Sequence, residues 1–70
     1  MQRTEIELDA NEKYVMRTIV NLHGKPTSLK MLRGHLNDGS FGVFNEVAEA
    51  LARQIVDVPH STLDDLLRHL

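Results

Sequence analysis

The sequence feature that most constrains the fold is an apolar stripe with helical spacing in the second half of the chain. Its members are Val43, Phe44, Val47, Ala48, Leu51 and Ile55. Charged residues, among them Glu46, Glu49 and Arg53, lie off the stripe, so one face of the segment is apolar and the other is polar. This pattern predicts an amphipathic helix over residues 41–56, with Ser40 as its N-cap.

Start and stop signals around shorter stripes predict two helices upstream of this one. The first begins after Asp9, because Asp9 and Glu12 have the spacing of a capping box. It ends at Gly24, since glycine readily adopts the left-handed conformation that closes a helix. The second follows either Thr27 or Ser28 as its N-cap.

A tight turn over residues 37–39, Asn-Asp-Gly, separates the second helix from the third. Ser61 and Asp64 have the spacing of a further capping box and predict the start of a fourth helix. That helix carries its apolar residues on one side: Leu63, Leu66, Leu67 and Leu70. These leucines either pack on the domain's own core or form a dimer interface, and the sequence leaves both uses open.

The predicted architecture is therefore all-α, with four short helices in a single small domain over residues 9–70 and a helix–turn–helix-like middle. Residues 1–8 are predicted to form a flexible arm, with a short strand as the alternative. Because the chain has 70 residues and no cysteine, its core is thin and has no disulfide to support it, which favours a homodimer. The absence of cysteine and of any apolar run of about 20 residues predicts a cytoplasmic protein without a membrane partner.

The charges are segregated along the chain. Residues 13–36 contain five basic residues and no acidic one: Lys13, Arg17, Lys25, Lys30 and Arg33. The flanking segments are acidic, and the formal net charge is -2. A local basic surface can attract a polyanion despite that total, because salt screens charges beyond about 8 Å. The same segregation also suits pairing with the acidic face of another protein.

Residues 24–46, GKPTSLKMLRGHLNDGSFGVFNE, resemble the N-terminal DNA-binding domain of the plasmid KfrA family. Gly24, Pro26 and Thr27 match the opening of that pattern. The middle helix is matched by the segments 32–33 and 36, and the turn by 39–40. The resemblance implies a helix–turn–helix, sequence-specific binding to double-stranded DNA, and dimerisation.

By this resemblance, the helix over 41–56 would be the recognition helix. The residues implied or predicted to contact DNA are Arg17, Lys25, Thr27, Lys30, Arg33, Ser40 and Asn45. The lysines and arginines would contact phosphates, and Asn45 could recognise adenine in the major groove. The function predicted from the sequence is a small DNA-binding transcriptional regulator.

An alternative is a helical adaptor or inhibitor that binds a regulatory protein. The order of helices, the glycine break at Gly24 and the pair Leu29-Lys30 are similar to small enterobacterial biofilm and two-component connector proteins. The pI of about 6.0 and the acidic residues Glu46 and Glu49 on the third helix also favour this alternative.

No catalytic or cofactor-binding motif is recognisable, so no enzyme and no cofactor are predicted. The chain has four histidines, His23, His35, His60 and His69. None of them has a partner at a recognised ligand spacing, so no metal site is predicted. His23 and His35 lie beside predicted helix ends, where a positive charge interacts favourably with the helix dipole.

Overall fold

The computed structural model describes residues 8–68 and 70. Over these residues the chain forms four α-helices and no strand, which confirms the all-α prediction. The helices are α1 (Ala10–His23), α2 (Leu29–Leu36), α3 (Asn45–Gln54) and α4 (Ser61–Arg68), and a 3₁₀ turn, Gly42–Phe44, leads into α3. The predicted arm lies outside the described residues except for Leu8, which packs against the core.

The ends of α1 are set by the local signals that the sequence contains. The Asp9 carboxylate accepts a hydrogen bond from the Glu12 backbone N–H at 2.8 Å, and the Glu12 carboxylate accepts one from the Asp9 N–H at 3.0 Å. This reciprocal pair satisfies two backbone donors that would otherwise have no partner within the helix. At the other end Gly24 adopts a φ of 79°, a conformation that favours glycine.

The N-cap of α2 is Ser28, since its Oγ accepts a hydrogen bond from the Met31 N–H at 3.1 Å. The other candidate, Thr27, donates its hydroxyl to the Met31 sulfur instead. Residues 37–39 form the turn that the sequence predicts.

The start of α3 differs from the prediction. The α-helix begins at Asn45 rather than just after Ser40, because Gly42 has a φ of 59° and interrupts the helical backbone. Ser40 is therefore not its N-cap. Val43 also leaves the predicted apolar stripe, since 90% of its surface is exposed in the 3₁₀ turn. The helix ends at Gln54, two residues before the predicted end at residue 56.

One core joins the four helices. α3 packs against both α1 and α2, and these two helices also contact each other. The largest fully buried side chains are Val15, Met16, Ile19, Leu32, Leu36, Leu51, Ile55 and Leu66. α4 begins at Ser61, and its first turn is closed by backbone bonds from Thr62 to Pro59 and from Leu63 to His60. The α1–α2 connector, apart from the buried Pro26, and the segment before α3 lie on the surface.

Candidate functional site

Three of the residues predicted to contact DNA lie close together in the chain at the start of α2. Lys25 and Thr27 are in the α1–α2 connector, and Lys30 is in the first turn of α2. All three are exposed. Two ammonium groups and a hydroxyl can contact phosphates from such a position, since each is a hydrogen-bond donor.

The two predicted arginine contacts are directed towards backbone oxygens of this chain. The Arg17 guanidinium donates to the Leu70 oxygen at 3.2 Å, and the Arg33 guanidinium donates to the Ile55 carbonyl at 3.4 Å. Arg33 therefore lies beside the C-terminal end of α3, not beside its start. The basic residues of the segment 13–36 therefore do not all lie on one surface. We assign Arg17 and Arg33 a role in stabilising the fold.

The two polar residues predicted to contact DNA near the start of the third helix form local hydrogen bonds. The side-chain oxygen Oδ1 of Asn45 accepts a hydrogen bond from the Phe41 backbone N–H at 3.0 Å, which closes the turn that precedes α3. Ser40 donates its backbone N–H to the Asp38 carboxylate at 2.9 Å. Ser40 itself is exposed, whereas Asn45 is partly buried. Asn45 is thus held by the loop, and Ser40 remains accessible.

The four leucines predicted to lie on one side of the fourth helix divide into two pairs, and the last of them, Leu70, lies beyond the end of α4 at Arg68. Leu63 and Leu66 are 2% and 1% exposed, so these two belong to the core of the chain itself and are not available to a dimer interface. Leu67 and Leu70 are partly buried against the same core. Only this second pair keeps exposed apolar surface that a partner could cover.

A cluster that the sequence did not indicate forms where α1 and α2 end. The His23 and His35 rings stack with centroids 4.1 Å apart and planes inclined by 11°. With Asp38 they bring one nitrogen each and a carboxylate oxygen within 4.8 Å of one another. His23 and Asp38 are exposed, and His35 is partly buried. The packing of two helices creates this group, because its first two members are far apart in the chain.

The electrostatics of the cluster centre on Asp38. Hydrogen bonds from the Ser40 hydroxyl and backbone N–H hold the pKa of Asp38 below its ordinary value of 3.8. Positive charge on His23 and His35 acts in the same direction. Asp38 therefore carries its negative charge at neutral pH, next to two imidazoles.

Several large apolar side chains are exposed around α1 and the 3₁₀ turn. The rings of Tyr14 and Phe44 lie 4.9 Å apart, and 55% of Tyr14 remains exposed. Val43, adjacent to Phe44, is 90% exposed, and Leu22 near the end of α1 is 69% exposed. Such side chains can take part in contacts with a second macromolecule.

A groove of about 240 Å³ separates α2 from the end of α3. Its walls carry both signs of charge and some apolar surface: Arg33, Asn37, Glu49, Ala52, Arg53 and Val56. The bond from Arg33 to the Ile55 carbonyl lies beside this groove.

Among the described residues, no helix combines the length and apolarity needed to cross a bilayer. Comparison with protein-family models, with curated proteins and with solved structures found no match.

Proposed function

We propose that this chain is a small DNA-binding regulator in which α2 and α3 act as a helix–turn–helix. The observation that carries the proposal is the exposed group Lys25, Thr27 and Lys30 at the start of α2, within a unit where α3 packs against both α1 and α2. In a helix–turn–helix the later helix enters the major groove while the preceding helix crosses the phosphate backbone. Positively charged side chains at the start of α2 suit contact with the phosphate backbone.

The start of α3 supplies the surface proposed to meet the bases. Ser40, Gly42 and Val43 are exposed immediately before the helix. A serine hydroxyl can bond to a base edge, and the apolar Val43 side chain can contact the methyl group of thymine. Asn45 shapes this segment through its bond to Phe41, so it acts on recognition by holding the loop. Glu46, exposed in the first turn of α3, disfavours close approach of a phosphate there.

The test of this proposal is the salt dependence of binding to duplex DNA. Fluorescence anisotropy with random and genomic fragments at several salt concentrations gives the slope of log K against log salt. If both lysines contact phosphates, Lys25→Ala/Lys30→Ala reduces the steepness of that slope by about 1.8, since each lost phosphate contact contributes about 0.9.

The matched control is Arg53→Ala/Arg68→Ala, which also removes two positive charges but from α3 and α4. We expect this control to retain the salt slope of the unmodified chain. An equal reduction of the salt slope in both double variants would indicate a general effect of net charge and would contradict phosphate contacts by Lys25 and Lys30. No binding of the unmodified chain at low salt would reject DNA binding altogether.

The exposed apolar surface favours a second candidate function, a protein-binding adaptor. The side chains that support it are Tyr14, Leu22 and Val43. Proteins expose single apolar residues routinely, but a half-exposed tyrosine ring that packs 4.9 Å from the Phe44 ring resembles the aromatic anchors of protein interfaces. This candidate becomes the preferred one if the unmodified chain fails to bind DNA at low salt.

We further propose that the chain is a homodimer that uses the partly exposed side of α4. Leu67 in α4 and Leu70 just after it retain accessible apolar surface, and burying it would add to a core that is small for one chain. We expect Leu67→Asp to give a monomer in sedimentation equilibrium, because the interface would then bury an unpaired carboxylate.

Ser61→Asp is the control, as it adds the same charge at the exposed start of α4. It should leave the dimer intact. A circular dichroism spectrum of Leu67→Asp establishes that the variant is folded. A folded Leu67→Asp dimer, or a monomeric unmodified chain, would contradict this interface.

A further inference from the structure

We propose that His23, His35 and Asp38 bind a divalent transition-metal ion, for which Zn²⁺ is the probe. His23 is the last residue of α1, His35 lies in the last turn of α2, and Asp38 lies in the turn that follows α2. Their potential ligand atoms already lie within 4.8 Å of one another. This proposal stands independently of DNA binding.

The donor set suits a metal ion of intermediate hardness, such as Zn²⁺. Two imidazole nitrogens and one carboxylate oxygen are common zinc ligands, and an exposed three-ligand site leaves a fourth position for water. Imidazole is a good ligand for Zn²⁺, Ni²⁺ and Cu²⁺, whereas Mg²⁺ and Ca²⁺ favour sites made of oxygen atoms. The site should therefore discriminate against Mg²⁺.

Side-chain movement can bring the three ligand atoms towards the coordination geometry. Ligand bonds of about 2.0–2.2 Å around a tetrahedral ion place the ligand atoms about 3.4 Å apart, closer than the 4.8 Å that bounds them here. His23 and Asp38 are exposed and can rotate. The stacked rings must also tilt from their 11° inclination, because parallel imidazoles direct their lone pairs side by side rather than towards one point. The broad χ2 wells of histidine permit this tilt.

Asp38 is positioned for this role by its neighbour. Its Oδ1 accepts a hydrogen bond from the Ser40 N–H at 2.9 Å, which orients the carboxylate. The carboxylate can ligate through its other oxygen while this bond is kept. Hydrogen bonds of this kind orient metal ligands in many sites, and their loss commonly lowers affinity by about 10–100-fold.

The bound ion would connect the ends of α1 and α2. It would close the connector over residues 24–28 and hold the turn over 37–39 that leads to the 3₁₀ turn and α3. Because the ion binds the folded arrangement of ligands, we expect it to raise the melting temperature of the chain.

The experiment is a Zn²⁺ titration of the full chain, followed by calorimetry and by NMR of the imidazole side chains. The most informative variant is His60→Ala/His69→Ala, which leaves His23 and His35 as the two histidines of the sequence. We expect it to bind one Zn²⁺ ion per chain with the affinity of the unmodified protein and to show both remaining imidazoles shifting together. His23→Ala/His35→Ala should lose at least about tenfold in affinity, Asp38→Asn should bind more weakly, and Mg²⁺ should give no saturable signal.

Several results would overturn the proposal. One is no saturation of the unmodified chain up to about 1 mM Zn²⁺. Others are loss of binding in His60→Ala/His69→Ala, or full affinity in His23→Ala/His35→Ala. If His23→Ala/His35→Ala does not fold, the imidazole shifts of His60→Ala/His69→Ala still decide the matter, because unshifted His23 and His35 signals during the titration would exclude these ligands.

Discussion

At the residue scale, Asp38 connects the surface cluster to the loop before α3. The Asp38 carboxylate accepts a hydrogen bond from the Ser40 backbone N–H at 2.9 Å and also lies near His23 and His35. The side chain is exposed, so solvent screens these charges and the hydrogen bonds decide its titration. Its negative charge is favoured by every neighbour described.

The first prediction concerns the acid titration of Asp38. We expect NMR of its carboxyl carbon to give a pKa below 3.8, and Ser40→Ala to raise that pKa towards 3.8, since the variant lacks the hydroxyl donor. The folded-state pKa is depressed, so the stabilising contribution of this group is complete above the unfolded value and is lost as the pH falls through the folded one. An unchanged pKa in Ser40→Ala would show that the hydroxyl contributes nothing.

At the element scale, the two glycines on either side of the α2–α3 turn differ in whether an alanine could replace them. Gly34 lies inside α2 with open space around the position of a Cβ atom. Gly42 has equally open space, but its φ of 59° is one that residues with a Cβ rarely adopt. Backbone conformation rather than crowding therefore separates the two positions.

The second prediction follows from this difference. Gly34→Ala should increase the free energy of unfolding by about 0.5–1 kcal/mol, because alanine loses less backbone entropy in a helix. Gly42→Ala should decrease it by about 1–2 kcal/mol, the cost of the left-handed conformation for a residue with a Cβ. Urea denaturation of both variants measures the two changes. Stabilisation by Gly42→Ala would contradict a positive φ at this position and an α3 helix that begins at Asn45.

At the scale of the whole molecule, stability depends on a core that gathers a few aliphatic side chains from every helix. The described chain has principal dimensions of 34 × 22 × 20 Å. α4 joins the other helices mainly through Leu63 and Leu66, which are almost fully buried. The Arg17 bond to the Leu70 oxygen adds a polar contact between α1 and the same end of the chain.

The third prediction tests that attachment. Leu66→Ala should lower the free energy of unfolding by about 2–5 kcal/mol, because the buried leucine leaves a cavity. Leu22→Ala makes the same chemical change at a side chain that is 69% exposed and should alter stability by no more than about 0.5 kcal/mol. Equal stabilities of these two variants would contradict the position assigned to α4.

Signals that act within one or two helical turns were predictable from the sequence. The Asp9–Glu12 capping box and the Gly24 end of α1 depend only on neighbouring residues, and both are confirmed. The predicted start of α3 was wrong. Val43 continues the helical spacing of the stripe, but Gly42 before it adopts a positive φ that interrupts the helix. Spacing could not reveal that the Asn45 side chain would accept the Phe41 N–H and stabilise a turn there.

By itself, the sequence determined the helical class, the number of helices over residues 8–68 and most of their ends, because caps and apolar spacing act over a few residues. Tertiary structure alone decided which side chains meet. It placed His23 against His35, turned Arg33 towards Ile55, and buried Leu63 and Leu66 while leaving Leu67 partly exposed. These outcomes depend on how helices distant in the chain pack around one core, and short-range patterns carry no information about that packing.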